Sequence, residues 1–150
     1  MFEILSQLNT FRIDYFADPR IPQPEGVGLY VNGALSSNQP YSREAKQALV
    51  VGLCLILRCG LAGQLAVVYV DITSTSNLLP PAYAQMKQDL ERGFIQCILV
   101  ANPPALQRSP ALHEDWKAFR KQHSEVRWFI PDPRWKQVRP IRSTLLIMSA

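Results

Sequence analysis

Two short apolar runs, 66–70 (AVVYV) and 95–100 (IQCILV), dominate the middle of the chain. Each is rich in β-branched residues and bounded by turn-forming residues, which predicts strands. Continuous rather than alternating hydrophobicity predicts cover on both faces, as in a parallel sheet. Between them Pro81 opens a helical pattern in which Ala82, Met86 and Leu90 form one stripe while Lys87, Asp89, Glu91 and Arg92 are expected to face water. Gly93 supplies the stop. Strand, crossover helix and strand make a βαβ unit, which is almost always right-handed.

The pattern extends in both directions. Residues 27–31 predict another strand, and 33–40 a polar loop of Gly, Asn, Ser and Pro. Ser42 is placed to cap a long helix through about residue 58, with Glu44 near its positive end and Arg58 near its negative end. The centre of that helix, 48–57, is almost wholly apolar but too short for a membrane span, which needs about 20 residues. It predicts a helix buried on most of its surface, against the sheet or a second subunit. Asn102 to Pro104 break the chain, and Ser109-Pro110 start a helix to about residue 123 with an apolar stripe of Leu112, Trp116 and Phe119. Residues 126–130 read as a further strand and 144–148 as an added one. At the other end, 1–8 suits a short helix. The residues that follow mix aromatic and charged types without a clear period, and Pro19, Pro22 and Pro24 stiffen a connector. This extension either packs over a sheet edge or forms an interface.

A resemblance to a known family rests on the same scaffold. Tyr30 ends the first strand, Asp71 ends the second, Ser74 sits in the next loop and Pro81 opens the helix; Asp89-Leu90, Gly93, the apolar strand to Val100, Leu106 and Arg108 complete the set. In these positions the chain resembles the N-terminal catalytic domain of serine recombinases, the resolvase and invertase family, over roughly residues 27–122. The resemblance implies an α/β fold, a three-layer sandwich with a mostly parallel central sheet. The family's catalytic positions fall elsewhere in kind: its first arginine on Asn32, its nucleophilic serine on Ala34, the arginine before the proline on Pro80, and its Asp-Arg pair on Pro104 and Ala105. Only Arg108 keeps its identity. In that family the serine attacks a DNA phosphate and arginines stabilise the developing charge, so both covalent and electrostatic catalysis are missing here. The resemblance therefore implies a catalytically inactive, resolvase-like binding module that acts by self-association or through a protein partner. The rival reading keeps DNA strand cleavage and relocates the nucleophile to Ser36 or Ser37.

Length and composition agree with one globular domain over 1–150, with an N-terminal extension at 1–24 and a basic tail at 131–150. The 150 residues are 47% hydrophobic and 19% charged. Charge changes the picture at the C-terminal end. From Lys117 onward eight basic residues oppose Glu125 and Asp132, a local balance of +6 in a chain of net charge +4. Arg134, Trp135, Lys136, Arg139 and Arg142 combine cations with a stacking ring, which suits a polyanion such as DNA; a solvated basic surface is the alternative. After residue 130 about twenty residues remain, too few for the dimerisation helix and separate DNA-binding domain of such recombinases.

Other chemistry is not indicated. Cys54, Cys59 and Cys97 lie in apolar runs and are expected as buried, reduced thiols of a cytoplasmic protein. His113 and His123 have no ligand-type residues at metal spacing. Asp89 with Glu91, and Glu114 with Asp115, are expected to solvate helix surfaces. No dinucleotide or phosphate-loop motif is present, so no cofactor is expected. No signal peptide or membrane segment is expected either.

Overall fold

The continuous apolar runs form the interior strands of one sheet. The computed structural model describes residues 11–34, 42–73, 79–124 and 126–129. In chain order they form β1 (Phe11–Tyr15), β2 (Val27–Ala34), α1 (Arg43–Arg58), a 3₁₀ turn (Ala62–Gln64), β3 (Leu65–Thr73), α2 (Pro81–Glu91), β4 (Cys97–Val100), a second 3₁₀ turn (Pro103–Gln107), α3 (Pro110–Gln122) and β5 (Arg127–Phe129). The sheet order is β1-β3-β2-β4-β5. β2 runs parallel to both β3 and β4, β4 runs parallel to β5, and β1 is antiparallel to β3. The architecture is thus α/β with a mixed sheet.

Alternate residues of β2 face different helices. Leu29 and Gly33 lie under α1, and two glycines permit a close approach there: a Cβ on Gly33 would sit 2.5 Å from the Ala45 nitrogen, and one on Gly52 would sit 2.7 Å from Leu29 Cδ1. Tyr30 points the other way and meets Tyr83 of α2 edge-on, with ring centroids 5.8 Å apart. Tyr83 in turn meets Phe119 of α3 at 6.4 Å. The buried core runs through all of these, from Val27, Leu29 and Val31 through Val67 and Tyr69 to Ile98, Leu106 and Phe119.

Helix ends follow local sequence. Ser42 Oγ accepts the Ala45 N–H, and Ser109 Oγ accepts the Leu112 N–H. α1 and α2 both end in Schellman motifs around a glycine of positive φ. At Gly60 (φ +70°) the bonds run from Gly60 N to Leu57 O and from Leu61 N to Ile56 O. At Gly93 (φ +80°) they run from Gly93 N to Leu90 O and from Phe94 N to Asp89 O.

Four expectations need correction. Gly33 and Ala34 belong to β2, not to a loop, because their ladder to β3 continues through Ile72 and Thr73. The segment expected to lack a period contains β1, whose apolar Phe11, Ile13 and Tyr15 alternate with Arg12 and Asp14 along the sheet edge. Cys54 is exposed and Cys59 half-buried; only Cys97 is fully enclosed. Likewise α1 is not buried on most of its surface, since Val50, Leu53, Cys54 and Leu57 all face outward. The expected helix at 1–8, Ser36, Ser37, Ser74, the strand at 144–148 and the basic residues Arg134, Trp135, Lys136, Arg139 and Arg142 lie outside the described residues. Among the described residues no helix is long and apolar enough to cross a membrane.

Candidate functional site

In open α/β sheets, ligands enter where successive crossovers leave a strand in opposite directions, at the carboxyl ends of the strands. Here that point lies between β2 and β4, because β2 connects to β3 on one side while β3 connects back past β2 to β4. The described residues around it are Asn32 and Ala34 of β2, Asp71 of β3, Asn102 after β4, and Glu44 and Arg108 beside them.

Asn102 closes the gap between the two strands. The ladder proper ends with Ala101 N donating to Tyr30 O at 3.0 Å. One step further, Asn102 Oδ1 accepts the Asn32 N–H at 3.3 Å while its Nδ2 donates to Asn32 O. A side-chain amide thus takes the place of the next residue of β4 in the ladder. The Asn32 side chain is directed elsewhere: it is 1% exposed and donates through Nδ2 to Tyr30 Oη at 3.0 Å.

Ala34 is held just as fully. Its N–H donates to Glu44 Oε1 at 3.0 Å, and its carbonyl accepts the Ser42 hydroxyl at 2.8 Å. Glu44 also pairs with Arg108. Arg108, the one arginine that the recombinase resemblance retains, is therefore engaged by a carboxylate at the first turn of α1.

Asp71 is fully buried and works as a distant helix cap. α2 begins with Pro80 and Pro81, which offer neither a capping side chain nor a first N–H. Asp71 supplies the missing acceptor from β3: Oδ1 takes the Ala82 N–H at 2.8 Å and Oδ2 takes the Tyr83 N–H at 2.9 Å, while Tyr30 Oη donates to Oδ2 at 2.8 Å. Burial pushes its carboxyl up to about 6 although all three donors act the other way. Burial, and then the neighbouring Asp71 charge, holds the Tyr30 hydroxyl well above the ordinary tyrosine range.

Two further carboxylates were expected on the surface, and the structure places them inward. Asp89 has no exposure at all; it accepts from Tyr15 Oη and Tyr69 Oη at 2.7 Å each, from Gln85 Nε2 at 3.0 Å and from an Arg92 terminal nitrogen at 2.6 Å. Its position follows the helical repeat, since Asp89 is seven residues after Ala82 and three after Met86, within the apolar stripe. Asp115 accepts from Tyr83 Oη at 2.7 Å and from Lys87 Nζ at 2.9 Å, joining α3 to α2. Burial first, and then the carboxylate partner, raises all three tyrosine hydroxyls far above their usual range, so each stays a proton donor.

The sequence-derived positions thus come together only in part. Tyr30, Asn32, Ala34, Asp71, Pro80 and Arg108 converge on the carboxyl ends of β2 and β3. Ala105 instead faces the core and Pro104 faces solvent, so their side of the family pattern is not directed at Ala34. Asn102 was missed as a participant, although an Asn directly after a buried strand and before a Pro-Pro pair is a signal for such a role. No group of three metal-ligating side chains occurs among the described residues. No protein-family model, no curated protein and no solved structure matches this chain.

Proposed function

We propose that the protein is a catalytically inactive, resolvase-like binding module, a three-layer sandwich with a mostly parallel sheet that works through protein contacts. The observation that carries this reading is the state of the β2 end. Where the resemblance would set an arginine and a nucleophilic serine, Asn32 and Ala34 have no nucleophile to offer, and their backbone groups are taken up by Asn102, Glu44 and Ser42. Phosphoryl transfer needs a positioned nucleophile and free cations at the phosphate. Arg108 is paired to Glu44 instead.

The test is to incubate the full chain with supercoiled DNA and with nicked duplexes that trap covalent intermediates, then resolve protein–DNA adducts on denaturing gels. No adduct is expected. Adducts that vanish in Ser36→Ala or Ser37→Ala would replace this reading with the relocated-nucleophile enzyme.

A second reading, DNA contact without cleavage, is favoured by the concentration of eight cations against two acids from Lys117 onward. It predicts duplex binding that weakens steeply with salt and is lost when Arg134, Lys136, Arg139 and Arg142 are all changed to Ala. Fluorescence anisotropy across a salt series reads this directly, and absence of binding at low salt refutes it.

A further inference from the structure

The outward face of α1 carries an apolar stripe. Val50 is 54% exposed, Leu53 37% and Leu57 67%, and Cys54 is exposed with them. Their spacing of i, i+3, i+4 and i+7 puts all four on one line along the helix. The opposite face, Ala45, Ala48, Gly52, Leu55 and Ile56, is the one packed on the sheet. Both ends of the exposed stripe are cationic, with Arg43 before it and Arg58 after it. Glu44, the only acid in α1, is half-buried and turned to Arg108.

We propose that this face docks an amphipathic helix from an acidic partner protein, with the partner's apolar stripe on Val50, Leu53, Cys54 and Leu57 and its carboxylates over the cationic ends. Charge decides between this occupant and a second copy of the chain. Two α1 helices packed antiparallel about the midpoint of the stripe set Arg43 of one copy within about two turns of Arg58 of the other. Packed parallel, each cation faces itself. Either arrangement brings like charges together along a contact only four side chains long, whereas carboxylates turn the same cations into attractive pairs. Anchors at i, i+3, i+4 and i+7 are the usual currency of helix recognition. Exposed ion pairs add little affinity but set the choice of partner, so the stripe supplies the binding and the cations the selectivity. This inference names the partner for the binding-module reading but stands on α1 alone; DNA adducts would overturn that reading without touching this surface.

Cys54 makes the surface measurable in the full-length chain. Its alkylation by a maleimide is followed by mass spectrometry with two synthetic helical peptides that share one leucine stripe, flanked by glutamates in one and by lysines in the other. The free chain is expected to react at Cys54, the glutamate peptide to slow that reaction by about tenfold, and the lysine peptide to leave it unchanged. Leu57→Glu, at a site too exposed to disturb folding, should abolish the protection. Arg43→Glu combined with Arg58→Glu should transfer it to the lysine peptide. Equal protection by both peptides, protection by neither, or a Cys54 already unreactive in the free chain would overturn the proposal. So would protection that grows with the protein's own concentration alongside a dimer in sedimentation, since the occupant would then be a second copy.

Discussion

Removing the Asp89 carboxylate tests whether a buried charge on α2 holds the sheet edge in place. Four donors converge on it, and they differ in what they lose. The Arg92 side chain is 60% exposed, so its guanidinium returns to water when the partner goes. Tyr69 has no exposure and keeps a hydroxyl with no acceptor, which costs about 2 kcal/mol. Tyr15 is 37% exposed and recovers part of its loss from solvent. Losing the carboxylate also relieves its own desolvation, so the total is well below the sum of four charge-assisted bonds. Asp89→Ala is therefore expected to destabilise the fold by about 3 kcal/mol, dominated by the two tyrosines. Asp89→Asn keeps the shape but must turn an NH2 toward donors on one side or the other, and should cost about 2 kcal/mol. Tyr15→Phe leaves three donors in place and should cost about 1 kcal/mol. Urea unfolding followed by circular dichroism resolves these: with a slope of about 2 kcal/mol per molar, the Ala midpoint falls by about 1.5 M at unchanged slope. An Asp89→Ala midpoint within about 0.3 M of the parent would refute the reasoning, as would a Tyr15→Phe loss equal to that of Asp89→Ala.

The remaining predictions are simpler. Because burial raises the folded-state Asp71 carboxyl from 3.8 to about 6, the folded protein holds the proton more tightly; its contribution is fully present below about pH 4 and is lost as pH rises through 6. The unfolding free energy from urea titrations, compared between the parent and Asp71→Asn, should accordingly shift by about 2.5 kcal/mol in favour of the Asn variant between pH 4 and pH 7, and a difference independent of pH would refute the assignment. Gly33→Ala puts a methyl 2.5 Å from the Ala45 nitrogen and 2.6 Å from its Cβ, which only movement of α1 away from β2 can relieve, so a loss of about 3 kcal/mol is expected in thermal unfolding. Gly63→Ala meets nothing within 4 Å at an ordinary φ and should change stability by less than about 0.5 kcal/mol.

What could be read from the chain alone was what local pattern encodes. The runs at 66–70 and 95–100 gave strands because short apolar stretches rich in β-branched residues have few other solutions, and Ser42, Ser109 and Gly93 marked helix ends because capping is a matter of one or two neighbouring residues. β1 was missed although Phe11, Ile13 and Tyr15 do alternate with Arg12 and Asp14; five residues of half-buried edge are a weak signal between aromatic and charged neighbours. Asp89 was misplaced for a different reason. Its donors Tyr69 and Tyr15 lie 20 and 74 residues away, and its near donors Gln85 and Arg92 would suit a surface carboxylate equally, so local sequence does not show that the group is buried. The same holds for Asp71 with Tyr30, 41 residues apart, and for Tyr83 with Asp115, 32 apart. Two of these aspartate–tyrosine nodes fasten the first turn of α2 and the third its last turns, so polar bonds of long sequence separation fix its orientation. α1 is fastened by shape instead, through Gly33 and Gly52, and needs no polar anchor beyond its first turn. A helix positioned by glycine contacts on one face can carry leucine and valine on the other without loss of its place in the fold. Hydrophobic pattern alone reads such a helix as buried all round, and only the packing of its inner face shows that the outer stripe remains open to a partner.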